Sequence, residues 1–460
     1  MQLTEELKKE IESLHANTAD SIHGVSLGYK YKNGIKTNQI GIVFDVDKKL
    51  SESDLLTDQI LTKTIKIGDQ EYVTDVRETS RAEMMACYCQ VTPCSDPSVA
   101  RLQPAGQSGA AALLPMRGGQ EIIEFPTNWT AYGFYVGTLG FFCVDNIDNK
   151  IVGITNSHVV CNRRSFASDR NLTLESTDAY NTAEPRSWVV DGNNYNPGAL
   201  TVNGQAYALL GQYIKRYQPV SGSGYNYSDV ALLSMNPGVI STNSYKVWQP
   251  IGTTDYPNFL PFASTAEINN LLITNPRLYS TGRTSGPKGY TNTATCRLRV
   301  TQIGVSSSIS GEEPIISDWA DLIAFNYEDG SAGAILSGDS GSALLADISG
   351  VRKIIGLCFA GNGVTGFACR IDRVAANMNI RAWDGTYDTS LPTSLSGVVT
   401  SPSSVKSSQV SIVYGGKTYY QAGFTRTSGL PNIDFAVNAI YTENLEKLMT
   451  ENSEYLTPEN

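Results

Sequence analysis

Short apolar segments separated by frequent turns dominate the middle of the chain, from about residue 126 to residue 385. These segments cover residues 132–144, 151–155, 206–213, 230–233, 298–303 and 353–360, and the neighbourhood of Ile335. Each has the length of a strand, and turn-forming residues bound it, so the pattern predicts a mainly β region in which helices are scarce. Its length of about 260 residues suits two small β-barrels.

The first 78 residues show a different pattern. Apolar residues recur at helical spacing between residues 3 and 15, which predicts an amphipathic helix, and Thr4 is its expected N-cap. Two predicted strand pairs follow, each joined by a short turn, at residues 24–31 with 39–45 and 62–67 with 71–76. We therefore predict a small N-terminal α+β domain over residues 1–78.

The remaining segments lack a clear period. Residues 79–125 are predicted to be a mostly irregular connector. The first barrel is expected over residues 126–250 and the second over residues 251–385. Residues 386–460 begin as a linker rich in Ser, Thr and Pro, continue as one predicted hairpin, and end in a short predicted helix, which together form a C-terminal extension.

Charge and hydropathy exclude several classes of partner. The net charge is −10 and no long basic run occurs, so a nucleic-acid partner is not expected. No apolar stretch approaches the length of a transmembrane helix, and the N-terminus does not resemble a secretory signal. A cytoplasmic location is therefore expected, while association with a virion and export by another route stay open, as does a homo-oligomer.

The eight cysteines are too few for a disulfide scaffold. Cys87, Cys89 and Cys94 form a cluster that could hold zinc, but a fourth ligand is missing, so no metal and no cofactor are predicted. The pairs Cys143 with Cys161 and Cys358 with Cys369 could each be bridged in an oxidising compartment. Without a signal peptide, reduced thiols are the expectation.

The heptad Leu-Ser-Gly-Asp-Ser-Gly-Ser at residues 336–342 carries the main chemical signal. Apolar segments flank it on both sides, so it is predicted to form a tight exposed turn between buried strands. Ser340 would present a nucleophilic hydroxyl, and the backbone amides of Gly338 and Ser340 would supply two hydrogen-bond donors, as acyl transfer requires. An ordinary turn rich in Gly and Ser is the alternative interpretation.

A base and a carboxylate complete the hypothesis. His158 is the only one of the three histidines in the β region, and it follows a buried strand. Asp229 immediately precedes another apolar strand, where a partly buried carboxylate needs a partner such as an imidazole. Four other aspartates compete for this role, namely Asp191, Asp255, Asp318 and Asp321.

Taken together, the segments around His158, Asp229 and Ser340 resemble the signature blocks of chymotrypsin/trypsin-like serine proteases. Residues 355–361 resemble the strand that lines the substrate cleft of these enzymes. A closer likeness is to the trypsin-like branch typified by plant NARROW LEAF proteins and their bacterial relatives, in residues 137–140, 338–371, 43–50 and 74–76. The resemblance implies a trypsin-like double β-barrel with the site between the barrels, and it covers roughly residues 135–380.

The same resemblance implies the site. His158, Asp229 and Ser340 would form a catalytic triad, and the amides of Gly338 and Ser340 an oxyanion hole. The substrate pocket would be lined by Ala334, Phe359, Ala360, Gly361 and Gly366. Because Ala334 takes the position of the pocket base, a neutral pocket that prefers apolar or small side chains is implied.

Two departures from secreted trypsins affect activation. No Ile-Val-Gly-Gly sequence precedes the first predicted barrel, and Ser342 replaces the glycine usual after Gly341. Activation by insertion of a new N-terminus is therefore not expected. Either the site forms constitutively, or the N-terminal unit or assembly controls it.

Three functions compete at this level. The first is a serine endopeptidase that acts on proteins or peptides without a cofactor. The second is a catalytically silent, protease-like structural protein of a larger assembly, such as a virion or surface complex, which the loops rich in Tyr, Asn and Ser would suit. The third is an esterase that uses the same three residues.

Overall fold

A computed structural model describes residues 2–18, 21–32, 35–55, 60–84, 87–89, 117–125, 134–146, 149–160, 174–175, 187–191, 200–202, 205–217, 224–234, 246–247, 259–290, 297–311, 316–385, 411–414 and 417–420. In these residues the chain is mainly β. Its helices are α1 (Glu5–Ala16), α2 (Ser157–Val160), α3 (Thr265–Asn269), α4 (Leu271–Thr274) and α5 (Ile371–Met378), with a 3-10 turn at Glu52–Asp54.

Twenty-five strands account for most of the described chain. The first thirteen are β1 (Ile22–Lys32), β2 (Ile35–Val46), β3 (Thr64–Ile67), β4 (Gln70–Glu78), β5 (Ala82–Met84), β6 (Cys87–Cys89), β7 (Glu121–Phe125), β8 (Phe134–Thr138), β9 (Phe141–Asp145), β10 (Ile151–Thr155), β11 (Leu174–Glu175), β12 (Ser187–Asp191) and β13 (Leu200–Val202). The others are β14 (Gln205–Tyr217), β15 (Val230–Ser234), β16 (Leu278–Gly282), β17 (Gly286–Lys288), β18 (Leu298–Ser310), β19 (Ile316–Tyr327), β20 (Ala343–Ile348), β21 (Val351–Gly361), β22 (Gly366–Arg370), β23 (Ile380–Ala382), β24 (Ser411–Tyr414) and β25 (Lys417–Tyr420).

Two large sheets organise these strands. The first sheet runs in the order β17-β16-β20-β21-β22-β19-β18-β1-β2-β4-β3, and β5 pairs with both β18 and β21. The second runs in the order β23-β9-β10-β15-β14-β12-β7-β8-β6, and β11 and β13 both pair with β14. Strands β24 and β25 form a separate hairpin. Most neighbouring strands are antiparallel, as expected for a chain with short connections.

The predicted N-terminal helix is confirmed. Leu3, Leu7 and Ile11 are buried, and the Thr4 hydroxyl accepts a hydrogen bond from the Leu7 amide at the N-terminus of α1. This bond satisfies one of the amides that a helix start leaves without an intrahelical partner. The buried face of α1 covers β1 and β18.

The four predicted N-terminal strands are also present, and they extend the first sheet. Strand β1 pairs antiparallel with β2 on one side and with β18 on the other. Strand β4 adds to β2 in parallel and carries β3 at the sheet edge. The first sheet therefore unites N-terminal strands with strands from residues 278–370.

Three sequence-based expectations on local structure were wrong. Residues 334–336 form turns rather than a strand, because Asp339 and Lys288 bind their backbone groups. The connector 79–125 contains β5, β6 and β7, whose pairing partners are distant in sequence and leave no local period. The segment 132–144 is divided into β8 and β9 at Leu139 and Gly140.

Helices after residue 260 were missed as well. Helix α3 begins with a capping box between Ser264 and Glu267, which is a readable sequence signal. Helix α5 buries Ile371, Val374 and Met378. The Ser/Thr/Pro-rich linker and the terminal helix predicted after residue 385 lie outside the described residues.

The buried core draws on both sheets. Phe325 and Leu344 of the first sheet and Phe141 and Ile154 of the second are all fully buried in one cluster. Within the described ranges, no helix is long and apolar enough to cross a membrane. The two sheets meet where β8 and β10 of the second approach β20 and β21 of the first, and the candidate site lies there.

Candidate active site

His158 and Asp229 are placed by two neighbouring strands. Strand β10 ends at Thr155, which pairs with Ala231 near the start of the antiparallel strand β15. The residues just after β10 and just before β15 therefore lie side by side. His158 sits in the single turn of α2 that follows β10, and Asp229 precedes β15, so their encounter follows from the strand register.

The two side chains are in direct contact. Nδ1 of His158 contacts Oδ2 of Asp229, and the His158 amide donates to Oδ1 at 3.1 Å. Both carboxylate oxygens thus face the histidine, and both residues are buried. In the neutral imidazole, the Nδ1 proton then belongs to the bond with Asp229, which leaves Nε2 as the basic nitrogen.

The backbone of Asp229 is held in place from two sides. The side-chain amide of Asn156 donates to the Asp229 carbonyl at 2.7 Å. The Asp229 amide donates to the sulfur of Cys369 at 3.3 Å. Burial is the main cause that raises the pKa of Cys369 well above its usual value, so this sulfur stays a neutral thiol beside the carboxylate. Neither contact was predicted from the sequence.

Ser340 lies in the turn before β20. The Ser340 hydroxyl donates a hydrogen bond to the Phe359 carbonyl at 3.2 Å, and the backbone amide of the next residue, Gly341, donates to the Cys358 carbonyl at 2.9 Å. Ser340 is fully buried. The turn is therefore tied to β21, and the hydroxyl in this conformation faces a carbonyl of that strand.

An oxyanion hole needs backbone amides that can donate to a substrate oxygen, and the amides of Gly338 and Ser340 meet this requirement. Among the described residues, neither amide donates a hydrogen bond. Gly338 has a φ of +95°, and a Cβ built there would lie 2.5 Å from Oγ1 of Thr284. Only glycine fits this conformation and this space, so the residue type is dictated by the turn.

A buried ion pair stabilises the turn that carries Ser340. Nζ of Lys288 lies 2.9 Å from Oδ2 of Asp339 and also donates to the Ala334 carbonyl at 2.8 Å. The Asp339 carboxylate accepts further hydrogen bonds from the amides of Thr284, Ser285 and Leu336. Burial alone would raise the pKa of Asp339, but Lys288 and these donors hold it below its usual value.

Thr138, at the end of β8, connects this turn to the second sheet. Its amide donates to the Ser340 carbonyl at 2.8 Å, and its hydroxyl donates to the Gly338 carbonyl at 2.9 Å. Its own carbonyl accepts from the hydroxyl of Thr155 at 2.8 Å. One residue therefore binds both the Ser340 turn and the end of the strand that precedes His158.

Close packing at two glycines brings the sheets together. A Cβ built on Gly137 would lie 2.6 Å from Val159, the neighbour of His158, and 3.1 Å from the Ser340 carbonyl. A Cβ on Gly140 would lie 2.4 Å from the Gly341 carbonyl. In the sequence, these two glycines were the available sign that the two sheets approach each other here. Nothing in the sequence pointed to the roles of Thr138 and Lys288. A lysine in a short strand gives no sign of burial.

The residues predicted to line a pocket lie along β21 and β22 and in the Ser340 turn. Ala334 is buried and binds Lys288 through its carbonyl. The Phe359 ring packs on Trp319 at 4.6 Å between ring centroids. Ala360 pairs with Phe367 of β22, and Gly361 pairs with Gly366. The other neighbour of Ala360 and Gly361 is β5.

The competing acids have other partners. Asp318 accepts from the Ser308 hydroxyl at 2.7 Å. Asp321 is buried against Arg370, Arg373 and Lys8. The side chains of the other two predicted competitors, Asp191 and Asp255, lie outside the described residues.

The described cysteines Cys143, Cys358 and Cys369 carry thiols rather than disulfides. Burial raises the pKa of Cys358 to about 11. Cys87 and Cys89 lie in β6, and Cys94 and Cys161 fall outside the described residues. Within the described part of the chain, no group of three or more metal-ligating side chains comes together.

Comparison with known proteins returned structural similarity only. No model of a known protein family matches the chain, and no curated protein does. Among solved structures, a chymotrypsin from Cellulomonas bogoriensis is 16% identical, with a TM-score of 0.30, and the match covers 58% of this chain and 98% of that one. The α-lytic protease homolog N4 is 13% identical, with a TM-score of 0.32, and the match covers 58% and 99%.

Thermobifida fusca protease A gives a similar result, with 13% identity, a TM-score of 0.30, and coverage of 58% of this chain and 98% of that one. The NARROW LEAF-type branch stays a prediction.

Proposed function

We propose that the chain is a serine endopeptidase that acts through His158, Asp229 and Ser340. The observation that supports this most directly is the contact of His158 Nδ1 with the Asp229 carboxylate, beside the turn that carries Ser340. This contact fixes the imidazole tautomer whose Nε2 accepts a proton. Thr138 supports the proposal as well, because it binds both the Ser340 turn and Thr155 at the end of the strand that precedes His158.

The proposed reaction gives each of these groups one role. The Ser340 hydroxyl turns from the Phe359 carbonyl to His158 Nε2 and attacks a peptide carbonyl while the imidazole takes its proton. Asp229 stabilises the imidazolium, and the amides of Gly338 and Ser340 bind the oxyanion. The imidazolium then protonates the leaving amine, and water hydrolyses the ester between Ser340 and the substrate.

The proposed substrate is an extended peptide with an apolar or small side chain at the cleavage position. Such a peptide would add to the β21 edge beside Ser340, at the positions Ala360 and Gly361 where β5 pairs in this structure. Ala334, at the predicted pocket base, brings no charge of its own, and the charge of Lys288 is neutralised by Asp339. A peptide-library profile dominated by cleavage after Arg or Lys would contradict this preference.

The test is covalent labelling with a fluorophosphonate together with hydrolysis of casein and of a simple ester. Wild-type protein should be labelled at Ser340 and should cut casein, and Ser340→Ala should do neither. Ser342→Ala is the matched control, because Ser342 lies two residues away in the same turn and is also buried. Labelling that persists in Ser340→Ala would remove Ser340 from the mechanism, and ester cleavage without peptide cleavage would favour the esterase.

A catalytically silent protein of a larger assembly is the second candidate. The burial of Ser340 favours it, because a substrate cannot reach a fully buried hydroxyl without a rearrangement. Casein hydrolysis by wild-type protein but not by Ser340→Ala would exclude this candidate.

A further inference from the structure

The edge of β21 beside Ser340 is already occupied by the chain itself. Strand β20 pairs with β21 only as far as Leu357. The next positions on the same edge bind the Ser340 turn, since the Cys358 amide donates to Ser342 and the Phe359 carbonyl accepts from Ser340. Beyond them, Ala360 pairs with Met84 of β5 in antiparallel orientation. Strand β5 is therefore the next neighbour of Ser340 along this edge.

The chain then passes from the first sheet to the second. Glu83 pairs with Gly361 of the first sheet, whereas Cys87 pairs with Val136 of β8 in the second. Strand β8 ends at Thr138, which binds the Ser340 carbonyl. Strand β5 therefore pairs with the strand that the Ser340 turn binds, and β6 pairs with the strand that ends at Thr138.

Side-chain contacts hold the approach to β5 in place. The side-chain amide of Asn362, next to Gly361, donates to the Thr79 hydroxyl at 2.8 Å and to the Ser80 carbonyl at 2.9 Å. On its other side, β5 pairs with the end of β18 through Ile309 and Ser310. Ala82 and Met84 are buried while Glu83 is exposed. Hydrogen bonds therefore hold the residues just before β5, and β5 itself is paired along both of its edges.

We infer that β5 occupies the peptide-binding groove of the proposed endopeptidase as a built-in ligand. An extended peptide added antiparallel to β21 is the arrangement by which a sheet edge binds a peptide backbone. Glu83 and Met84 have this arrangement at the two positions that follow Phe359.

Two consequences follow, and both rest on the proposed function. External peptides bind only when the segment leaves, so loosening β5 should raise activity. A segment seated beside Ser340 is also the first peptide that the site meets. Where the chain is cut C-terminal to β5, Ser340 attacks the backbone carbonyl at the cut, the amine leaves with the proton carried by His158, and water releases the new carboxylate.

The experiment compares Glu83→Pro with Glu83→Ala in the full chain. Proline removes a backbone N–H from a residue paired on both sides, while alanine removes the same exposed side chain and keeps that N–H. We expect the rates of fluorophosphonate labelling and casein hydrolysis to rise about fivefold in Glu83→Pro, which is the factor that corresponds to the loss of one backbone hydrogen bond between β5 and its neighbours. Glu83→Ala should match wild type.

Mass spectrometry of the incubated protein supplies the second measurement, and it does not depend on the folding of a variant. New termini C-terminal to β5 in wild type, absent in Ser340→Ala, would also support the inference. The inference is overturned, while the proposed peptidase stands, if three results occur together: wild type is active, Glu83→Pro is labelled at the wild-type rate, and no such termini form. If wild type and both variants lack labelling that depends on Ser340, the proposed function fails and the inference falls with it.

Discussion

The amide of Thr138 donates a hydrogen bond of 2.8 Å to the carbonyl oxygen of Ser340, and this bond joins the two large sheets beside the candidate nucleophile. The Thr138 hydroxyl adds a bond to the Gly338 carbonyl and accepts one from the Arg283 amide. Through these bonds, the second sheet sets the position of a turn that belongs to the first. The proposed chemistry therefore depends on how the sheets are joined as well as on the three reactive side chains.

Replacing the Thr138 hydroxyl should misplace the oxyanion donors. In Thr138→Val, the Gly338 carbonyl and the Arg283 amide lose a buried partner, so we expect fluorophosphonate labelling to slow by about 10- to 100-fold. Thr301→Val is the matched control, because its hydroxyl is also buried but lies away from the site, bound to the Ala324 carbonyl. Equal labelling rates in the two variants would contradict the role of Thr138.

Asp229 should be the carboxylate that orients His158. We expect Asp229→Asn to reduce the rate of peptide hydrolysis by about 10⁴-fold while the fold is kept, because the amide favours the wrong imidazole tautomer. Asp318→Asn is the control, since Asp318 binds Ser308 rather than His158. The measurement is kcat for a peptide substrate, with circular dichroism to check the fold. A larger loss in Asp318→Asn than in Asp229→Asn would contradict the assignment.

Lys288 should be essential for the Ser340 turn. In Lys288→Met the Asp339 carboxylate stays buried without its cation, so the free energy of unfolding should fall by about 3–5 kcal/mol. The double variant Lys288→Met/Asp339→Leu should recover part of this loss, because no charge is left buried. Urea unfolding measures both. A fall of similar size in the exposed pair variant Arg297→Met would show that the effect does not come from burial.

The same carboxylate predicts an acid-dependent loss of stability. The folded state lowers the pKa of Asp339 from its ordinary value of 3.8. Its contribution to stability is therefore complete above that value and is lost as the pH falls through the lower folded pKa. Unfolding free energy measured from pH 5 down to about pH 2 should decline less steeply in Asp339→Asn than in wild type. Parallel curves would contradict this contribution.

Helix α1 should stabilise the segment that carries Asp229. The Tyr225 hydroxyl donates to the Glu12 carbonyl at 2.8 Å, and the Tyr227 hydroxyl lies 3.3 Å from both oxygens of the Glu12 carboxylate. We expect Tyr227→Phe and Glu12→Gln each to lower the unfolding free energy by about 1 kcal/mol and to be non-additive. Additive losses in this double-mutant cycle would show that the two side chains are not coupled.

Local sequence was sufficient for several parts of the fold. The apolar period and Thr4 cap of α1, the alternation of short strands and turns, and the strand Ile151–Thr155 before His158 were all predictable. These features depend on residues close in sequence, for which propensity and periodicity are informative. The turn at Ser340 was predictable too, because glycine at residue 338 meets a conformational requirement that few other residues satisfy.

The tertiary structure alone decided which distant residues meet. Five aspartates were possible partners for His158, and the register of β10 with β15 selects Asp229 for contact. The burial of Lys288 against Asp339 and the pairing of β5 with Ala360 and Gly361 of β21 likewise join residues far apart in the chain. Local patterns fix which segments become strands, but strand order and register arise from long-range packing and hydrogen bonding, and these set the surroundings of each reactive group.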